Sequence, residues 1–568
     1  MPTDRRQFLA AFTTLGYSGT LLPGTLYTLL AQGADLTAET IACAEEISGL
    51  QFTDEQREQL VEDLNERLED YAALRALAIP NEVPPAMTFD PRISGTHPVS
   101  HGEPMSWQPT PIARPSDAES LAFLTVAELA YLLKTRAVTS TQLTRLYLSR
   151  LRRYDSVLRA VVTYTDDLAL EQAERADAEL DAGRWRGPLH GVPYGAKDLF
   201  AVRGYPTTWG ATPYRDQVID ADAAVIEKLE AAGAVLVAKL SLGALAWGDV
   251  WFDGTTRNPW NIEQGSSGSS AGPAAAVAAG LVAFAMGSET LGSIVSPSNR
   301  NGVTGYRPTF GLVSRYGAMT LSWSMDKVGP MARSTLDCAL VMEAIRGVDP
   351  RDPATVEASF GFNANLDVSR LRVGYLEGAF VEEEYANQAA DAQTLDTLRG
   401  LGANLNPMRL PDDLPVGAMR MTLNIEAAAA FDELTRSGRT DEMVRQGPNT
   451  WPHSFREARF TPAVEFLQAN RARTLLIRRM ADVMRDVDVF VSPSFGGGTL
   501  LITNLTGHPC VCVPNAFHAV EDAPLDSPRR RPGSITFVGG LYRDAEMLAL
   551  AHAYQKATDF HRRRPPIE

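Results

Sequence analysis

Two periodicities alternate along the chain. Leu60, Leu64, Leu68 and Tyr71 recur at helical spacing behind Thr53-Asp54-Glu55-Gln56, which has the form of a capping box, so an amphipathic helix of about 20 residues is predicted there. Asp220 to Ala232 reads as a second helix with Gly233 as its C-terminal cap, followed by the unbroken apolar run Ala234–Ala238 of a buried strand. Ser334-x-x-Asp337 opens another helix, stopped by Gly347, and Val489–Val491 and Val511–Val513 look like further buried strands. This alternation predicts an α/β fold, one large domain with a central mixed β-sheet covered by helices. Asn515 to Gly533, with Pro524, Pro528 and Arg529–Arg531, reads as a surface excursion between strands, its three arginines solvated.

The pattern breaks the chain into four segments. Residues 1–33 carry Arg5-Arg6, Phe8-Leu9 and then an uncharged stretch to Gly33, which resembles a twin-arginine export signal with a cleavage site after Ala31-Gln32-Gly33. Thr, Ser, Gln and Pro23 make that stretch a poor membrane span, no later segment reads as one, and the expected destination is periplasmic or secreted. Residues 34–79 form a helical extension. Residues 80–115 hold nine of the chain's 36 prolines, the composition of a linker or an extended arm. Residues 116–568 form the main domain.

Charge and cysteine content narrow the function. Against 53 Lys and Arg stand 69 Asp and Glu, a net charge of -16. That excludes sequence-independent nucleic-acid binding and docking on an anionic membrane surface, both of which need clustered cations. Cys43 and Cys338 stand alone and Cys510-Val511-Cys512 has too short a spacing for a zinc knuckle, so the four thiols read as small buried side chains. The eight histidines show no metal-ligand spacing, so a catalytic zinc is not expected.

Three islands carry candidate chemistry. His190–Asp198 places Lys197 at the end of an apolar, glycine-flanked strand; Gly265–Gly272 is a Gly/Ser cluster leading into the Ala-rich run Ala274–Ala279; Gly287–Ile294 is a third glycine- and hydroxyl-rich turn. Each alone has a bland reading, a surface charge or a linker. Together they suggest acyl transfer, with two hydroxyls for a relay, a desolvated amine as base and backbone N–H groups for an oxyanion. Two other motifs compete. Gly268-Ser269-Ser270-Ala271-Gly272 fits a nucleophile elbow with Ser270 as nucleophile and His508 or His552 as base, and Ser324-x-x-Lys327 fits a Ser/Lys dyad but lacks its companion motifs.

From about Ser116 onward the chain resembles the amidase signature family. The resemblance rests on Gly187–Pro193 through Lys197-Asp198, Arg257–Trp260, Gly268–Ser270, Gly292–Ile294, Gly305–Thr309 and Val328–Met331, in that order. It implies a Ser-cisSer-Lys triad in which the two serines lie 24 positions apart, the separation of Ser269 and Ser293. Ser293 is then the nucleophile, Ser269, after a non-proline cis peptide, the relay, and Lys197 the base. The N–H groups of Thr290, Leu291, Gly292 and Ser293 would cradle the oxyanion. The implied reaction is hydrolysis of a non-peptide carboxylic amide by water through an acyl-serine, without cofactor. Alternatives on the same scaffold are an esterase or carbamate hydrolase, a glutaminase-type amidotransferase subunit, and an inactive binding homologue.

The chain also departs from the family. Leu291 replaces the first of two glycines before the nucleophile, Val295 an arginine two residues after it, and Glu289 a frequent Asp; Ala271 and Pro273 replace smaller residues. Trp209, Trp247, Trp323 and Met325 are candidates for an apolar pocket, or for ordinary core.

Overall fold

The computed structural model describes residues 36–48, 50–76, 79–81, 83–85, 87–93, 103–109, 111–381, 384–521, 523–524 and 526–567. The export signal expected at residues 1–33 lies outside them. Two compact units result, a small one reaching Pro80 together with Phe460–Ala463, and a large one made of Asn81–Arg459 and Val464–Glu568. The small unit contains helices Ala38–Ser48 and Asp54–Arg75. The second starts at the predicted capping box: Thr53 Oγ1 accepts the Gln56 N–H at 3.2 Å and Gln56 Oε1 accepts the Thr53 N–H at 2.8 Å.

The large unit is built on one mixed sheet. Its strands are β1 (Val161–Tyr164), β2 (Pro193–Lys197), β3 (Val235–Leu240), β4 (Phe284–Glu289), β5 (Thr304–Arg307), β6 (Lys327–Ala332), β7 (Arg372–Leu376), β8 (Asn404–Met408), β9 (Val489–Pro493), β10 (Cys510–Ala519) and β11 (Arg530–Gly539). They lie in the order β1-β3-β2-β4-β6-β5-β10-β11-β9-β7-β8. Parallel pairing is confined to β3-β2-β4 and to β9-β7-β8; every other neighbour is antiparallel.

The pleat sends successive side chains to opposite faces. Tyr194, Ala196, Leu236, Phe284 and Met286 enter one apolar core, while Val235, Val237 and Ala285 pack into the other with the alanines of helix Ala271–Ala278. Gly195 pairs with Ala285, so Lys197, two residues further along β2, shares the face of that helix. The parallel strands β2 and β4 therefore deliver Lys197 and Glu289 at the same edge of the sheet, their C-terminal ends, where open α/β sheets place their crevices.

Several predicted boundaries shift, each for a physical reason. The predicted helix from Asp220 begins only at Ala224, because the Ala223 N–H is taken by Ala201 O at 2.9 Å. The strand after Gly233 runs past Ala238 to Leu240 because the charged Lys239 is neutralised inside the sheet by Asp198 at 2.7 Å. The largest correction concerns Asn515–Gly533, expected as a surface excursion. Both its ends are sheet and only the residues between Ala519 and Arg530 leave it: β10 and β11 pair from Cys510↔Val538 out to Ala519↔Arg530, with a register shift between Pro514 and Ala516. The proline sits at that irregularity, one of the few places a strand tolerates it. Two of the three arginines are also engaged, Arg529 with Glu263 and Arg530 Nη1 donating to Ser527 O at 2.7 Å, while Arg531 is exposed as expected.

Backbone proximity fixes a glycine at the centre of the sheet. A Cβ at Gly329 in β6 would lie 2.0 Å from Tyr306 O and 2.9 Å from Pro308 Cδ, and main chain on a paired strand cannot yield. Gly329→Ala is expected to cost about 2 kcal/mol or more, read as a lowered urea midpoint at unchanged slope.

Candidate active site

Lys197 ends β2 with no solvent exposure and forms no ion pair among the described residues. Its Nζ lies instead among hydroxyls, 2.8 Å from Ser269 Oγ, 3.2 Å from Ser270 Oγ and 2.9 Å from Ser288 Oγ. Burial lowers its pKa to about 7, against the opposing pull of Asp326 and Glu289. A buried amine with hydroxyl neighbours and no counter-ion is a proton acceptor in waiting.

Ser269 and Ser270 stand at the N-terminal end of helix Ala271–Ala278, and the Gly268–Ser269 peptide is cis. A Cβ at Gly268 would lie 1.9 Å from Gly248 O, so this turn packs backbone against backbone. It is tied to the third island by main chain and side chain alike: the Ser270 N–H donates to Ser293 O at 3.1 Å, and the Ser267 and Ser296 hydroxyls bond at 2.9 Å. Exposure falls along the series from 8% at Ser293 to 1% at Ser269 and 0% at Lys197, so only the first meets the surface.

The loop between β4 and helix Val295–Asn301 is shaped by Glu289. Its carboxylate accepts the N–H groups of Ile294 and Val295 at 2.8 and 3.0 Å, pairs with Arg307 at 2.6 Å and accepts the Asn504 amide at 2.9 Å. Burial pushes this carboxyl up, and the Arg307 guanidinium, Asn504 and the Val295 N–H outweigh it to hold its pKa at about 2. Held this way, the loop leaves the N–H groups of Leu291, Gly292 and Ser293 without an acceptor among the described residues. Gly292 has φ +87°, a conformation that needs glycine, whereas Leu291 has no positive φ. That explains why a side chain is tolerated at the first position of the pair and not at the second. Val295 is fully buried in the core.

The Amidase family model matches residues 142–522. The chain belongs to the amidase signature family. It is 32% identical over 489 residues to a glutamyl-tRNA(Gln) amidotransferase subunit of Methylococcus capsulatus, an alignment covering 78% of this chain and 98% of that protein. The solved peptide amidase of Stenotrophomonas maltophilia superposes with a TM-score of 0.69 at 30% identity, covering 78% of this chain and 98% of that one. A bacterial aryl acylamidase shares the fold, with a TM-score of 0.67 at 22% identity over 77% of this chain and 97% of that one. As a member of this family the protein is an amide-hydrolysing enzyme with the mixed α/β architecture of its neighbours.

In this amidase a cavity of about 310 Å³ opens over Ser293, lined also by Gly268, Thr290, Leu291, Gly292 and Trp247. Of the candidate pocket residues only Trp247 reaches it. Trp323 lines a smaller neighbouring cavity with Ser288 and Lys327, Trp209 packs against Tyr214 and Phe431, and Met325 is wholly buried. The competing motifs do not assemble. Ser270 Oγ donates to Ser288 O at 3.1 Å, while His508 bonds Thr506 and His552 packs edge-on against Phe362. Ser324 is held by Glu426 and Arg473, and Lys327 Nζ donates to Met325 O. Sequence reasoning misses Ser288 as a partner of Lys197, and Arg420, Asn424 and Trp451 as cavity walls. Ser288 lies within the third island; the other three come from distant segments with no motif of their own.

Removing the Glu289 charge leaves Arg307 buried and unpaired. Glu289→Gln is therefore expected to cost about 3–5 kcal/mol, seen as a lower denaturation midpoint, and to cut kcat at least about tenfold as the loop loses its brace.

Proposed function

We propose that the enzyme hydrolyses a non-peptide carboxylic amide through an acyl-Ser293 intermediate, with Ser269 as proton relay and Lys197 as base. The observation that carries this reading is the unpaired, fully buried Lys197 amine, 2.8 Å from Ser269 on a turn hydrogen-bonded to Ser293. Neutral Lys197 accepts the Ser269 proton while Ser269 takes the proton of Ser293, whose Oγ attacks the carbonyl carbon. The oxyanion is received by the N–H groups of Thr290, Leu291, Gly292 and Ser293, each such donor being worth about 3 kcal/mol of barrier. Collapse breaks the C–N bond, and the amine departs with the proton returned through Ser269. Water then adds to the acyl group by the same relay, and the carboxylic acid leaves as Ser293 regains its proton. Nothing in these steps calls for a metal or an organic cofactor.

One labelling experiment, one substitution and one titration test the scheme. A fluorophosphonate is expected to label Ser293 alone, as located by peptide mass spectrometry, and labelling is expected to vanish in Lys197→Ala; an adduct on Ser270 refutes it. Because the working form of Lys197 is the neutral amine, kcat/KM on an arylamide is expected to rise with pH through about 7 and then level. A flat profile from pH 5 to 9 contradicts a lysine base.

The name of the curated relatives favours a second reading, a glutaminase component of a tRNA-dependent amidotransferase. We propose instead an exported enzyme, on the strength of Arg5-Arg6 and the uncharged stretch that follows. Periplasmic recovery of the full chain, abolished when both arginines become lysine, supports export. Cytoplasmic retention with glutamine turnover supports the glutaminase.

A further inference from the structure

The walls of the Ser293 cavity are charged on one side only. Arg420 and Asn424 lie one helical turn apart at the start of helix Met421–Ala430, and both line the cavity. Arg420 forms no ion pair among the described residues, and it is the one charged residue among those that line this cavity. Carboxylates on its own helix and on the segments around the cavity are engaged elsewhere, Glu426 by Ser322 and Ser324. Asp249 accepts the Ser267 N–H at 2.8 Å, Asp326 accepts the Thr290 hydroxyl at 2.6 Å and the Leu321 and Ser322 N–H groups, and Glu289 is paired with Arg307. The rest of the lining is uncharged, hydroxyl residues on the Ser293 side and an apolar part made by Trp247 and Trp451, in edge contact at 4.7 Å, with Leu423 and Leu500.

A chain of net charge -16 that places an exposed arginine with no ion pair among the described residues at the wall of its nucleophile's cavity is matched to an anion. Low-dielectric walls strengthen the attraction at close range, and a guanidinium with a neighbouring amide offers several donors to a planar carboxylate. A cationic substrate meets a like charge there and is repelled. We propose that the substrate of this enzyme is an amide carrying a carboxylate, held by Arg420 and Asn424 while its carbonyl lies over Ser293. This rests on Ser293 being the nucleophile. Arg420 then sets specificity by touching a part of the substrate that does not react.

The test compares isosteric substrates differing only in charge. The mono-4-nitroanilides of succinic, glutaric and adipic acids are paired with the same anilides bearing a terminal carboxamide. N-butyryl-4-aminobenzoate is paired with its carboxamide, to place the charge on the leaving amine. At least one acid is expected to exceed its carboxamide about tenfold or more in kcat/KM, mostly through KM. Arg420→Gln is expected to bring that ratio to about one, and Arg420→Lys to leave an intermediate value. A ratio near one in every pair, or a preference that survives Arg420→Gln, overturns the proposal. Fluorophosphonate labelling on the same protein separates the two claims: Ser293 labelled with no preference for acids sinks only this inference. Should no anilide turn over, calorimetry on Ser293→Ala decides, since the acids must bind at least about tenfold more tightly than the carboxamides, and equal binding refutes it.

Discussion

A primary amine at the closed end of a buried strand, with no anion to pair with, is the constraint around which the catalytic edge of this sheet is arranged. Lys197 and Lys239 lie on adjacent parallel strands, and both are fully buried. Lys239 meets Asp198 at 2.7 Å in the wall of the fold. Lys197 meets only hydroxyl and carbonyl groups, which stabilise a neutral amine as readily as an ammonium. One carboxylate thus separates a paired lysine from an unpaired one, although the strands that carry them are equally apolar.

The second requirement is a loop whose N–H groups stay unspent. Backbone donors in a buried turn normally find acceptors within the fold, and here Glu289 takes those of Ile294 and Val295 and stops. Its own charge is balanced by Arg307, which is in turn held by Thr503 and the His508 carbonyl. The buried ion pair is therefore a scaffold, joining the end of β4 to β5 and to the helix Thr499–Leu505. Its value lies in the shape it imposes on residues 290–294, more than in any net contribution to stability.

Much of this is legible in the sequence because each piece is local. A lysine after an apolar run, a Gly/Ser turn before an alanine helix, and a glycine-rich turn after a strand all declare themselves within a short stretch of chain. The capping boxes at Thr53 and Ser334 are readable for the same reason. What escapes depends on contacts distant in sequence. The outer part of the β10–β11 hairpin reads as loop because Pro524, Pro528 and Arg529–Arg531 break the apolar pattern, yet the strands pair out to Ala519 and Arg530, beyond the core. Lys239 reads as lying past the end of a strand because its partner Asp198 comes from a different segment. Arg420 and Asn424 are ordinary polar residues on a short helix until the fold turns them toward Ser293.

The depth of Lys197 has a chemical consequence of its own. A neutral amine is a stronger nucleophile than any hydroxyl beside it, and an acyl group passed from Ser293 to such an amine would become a stable side-chain amide, ending the enzyme's working life in a single turnover. The shell formed by Ser269, Ser270 and Ser288, together with the absence of any solvent-accessible surface on the lysine, leaves no approach for a carbonyl carbon. A proton travelling along hydrogen bonds can still reach it. In the proposed acyl-Ser293 scheme the hydroxyls are thus a filter that admits the smallest of chemical cargoes and turns away the one that would poison the base.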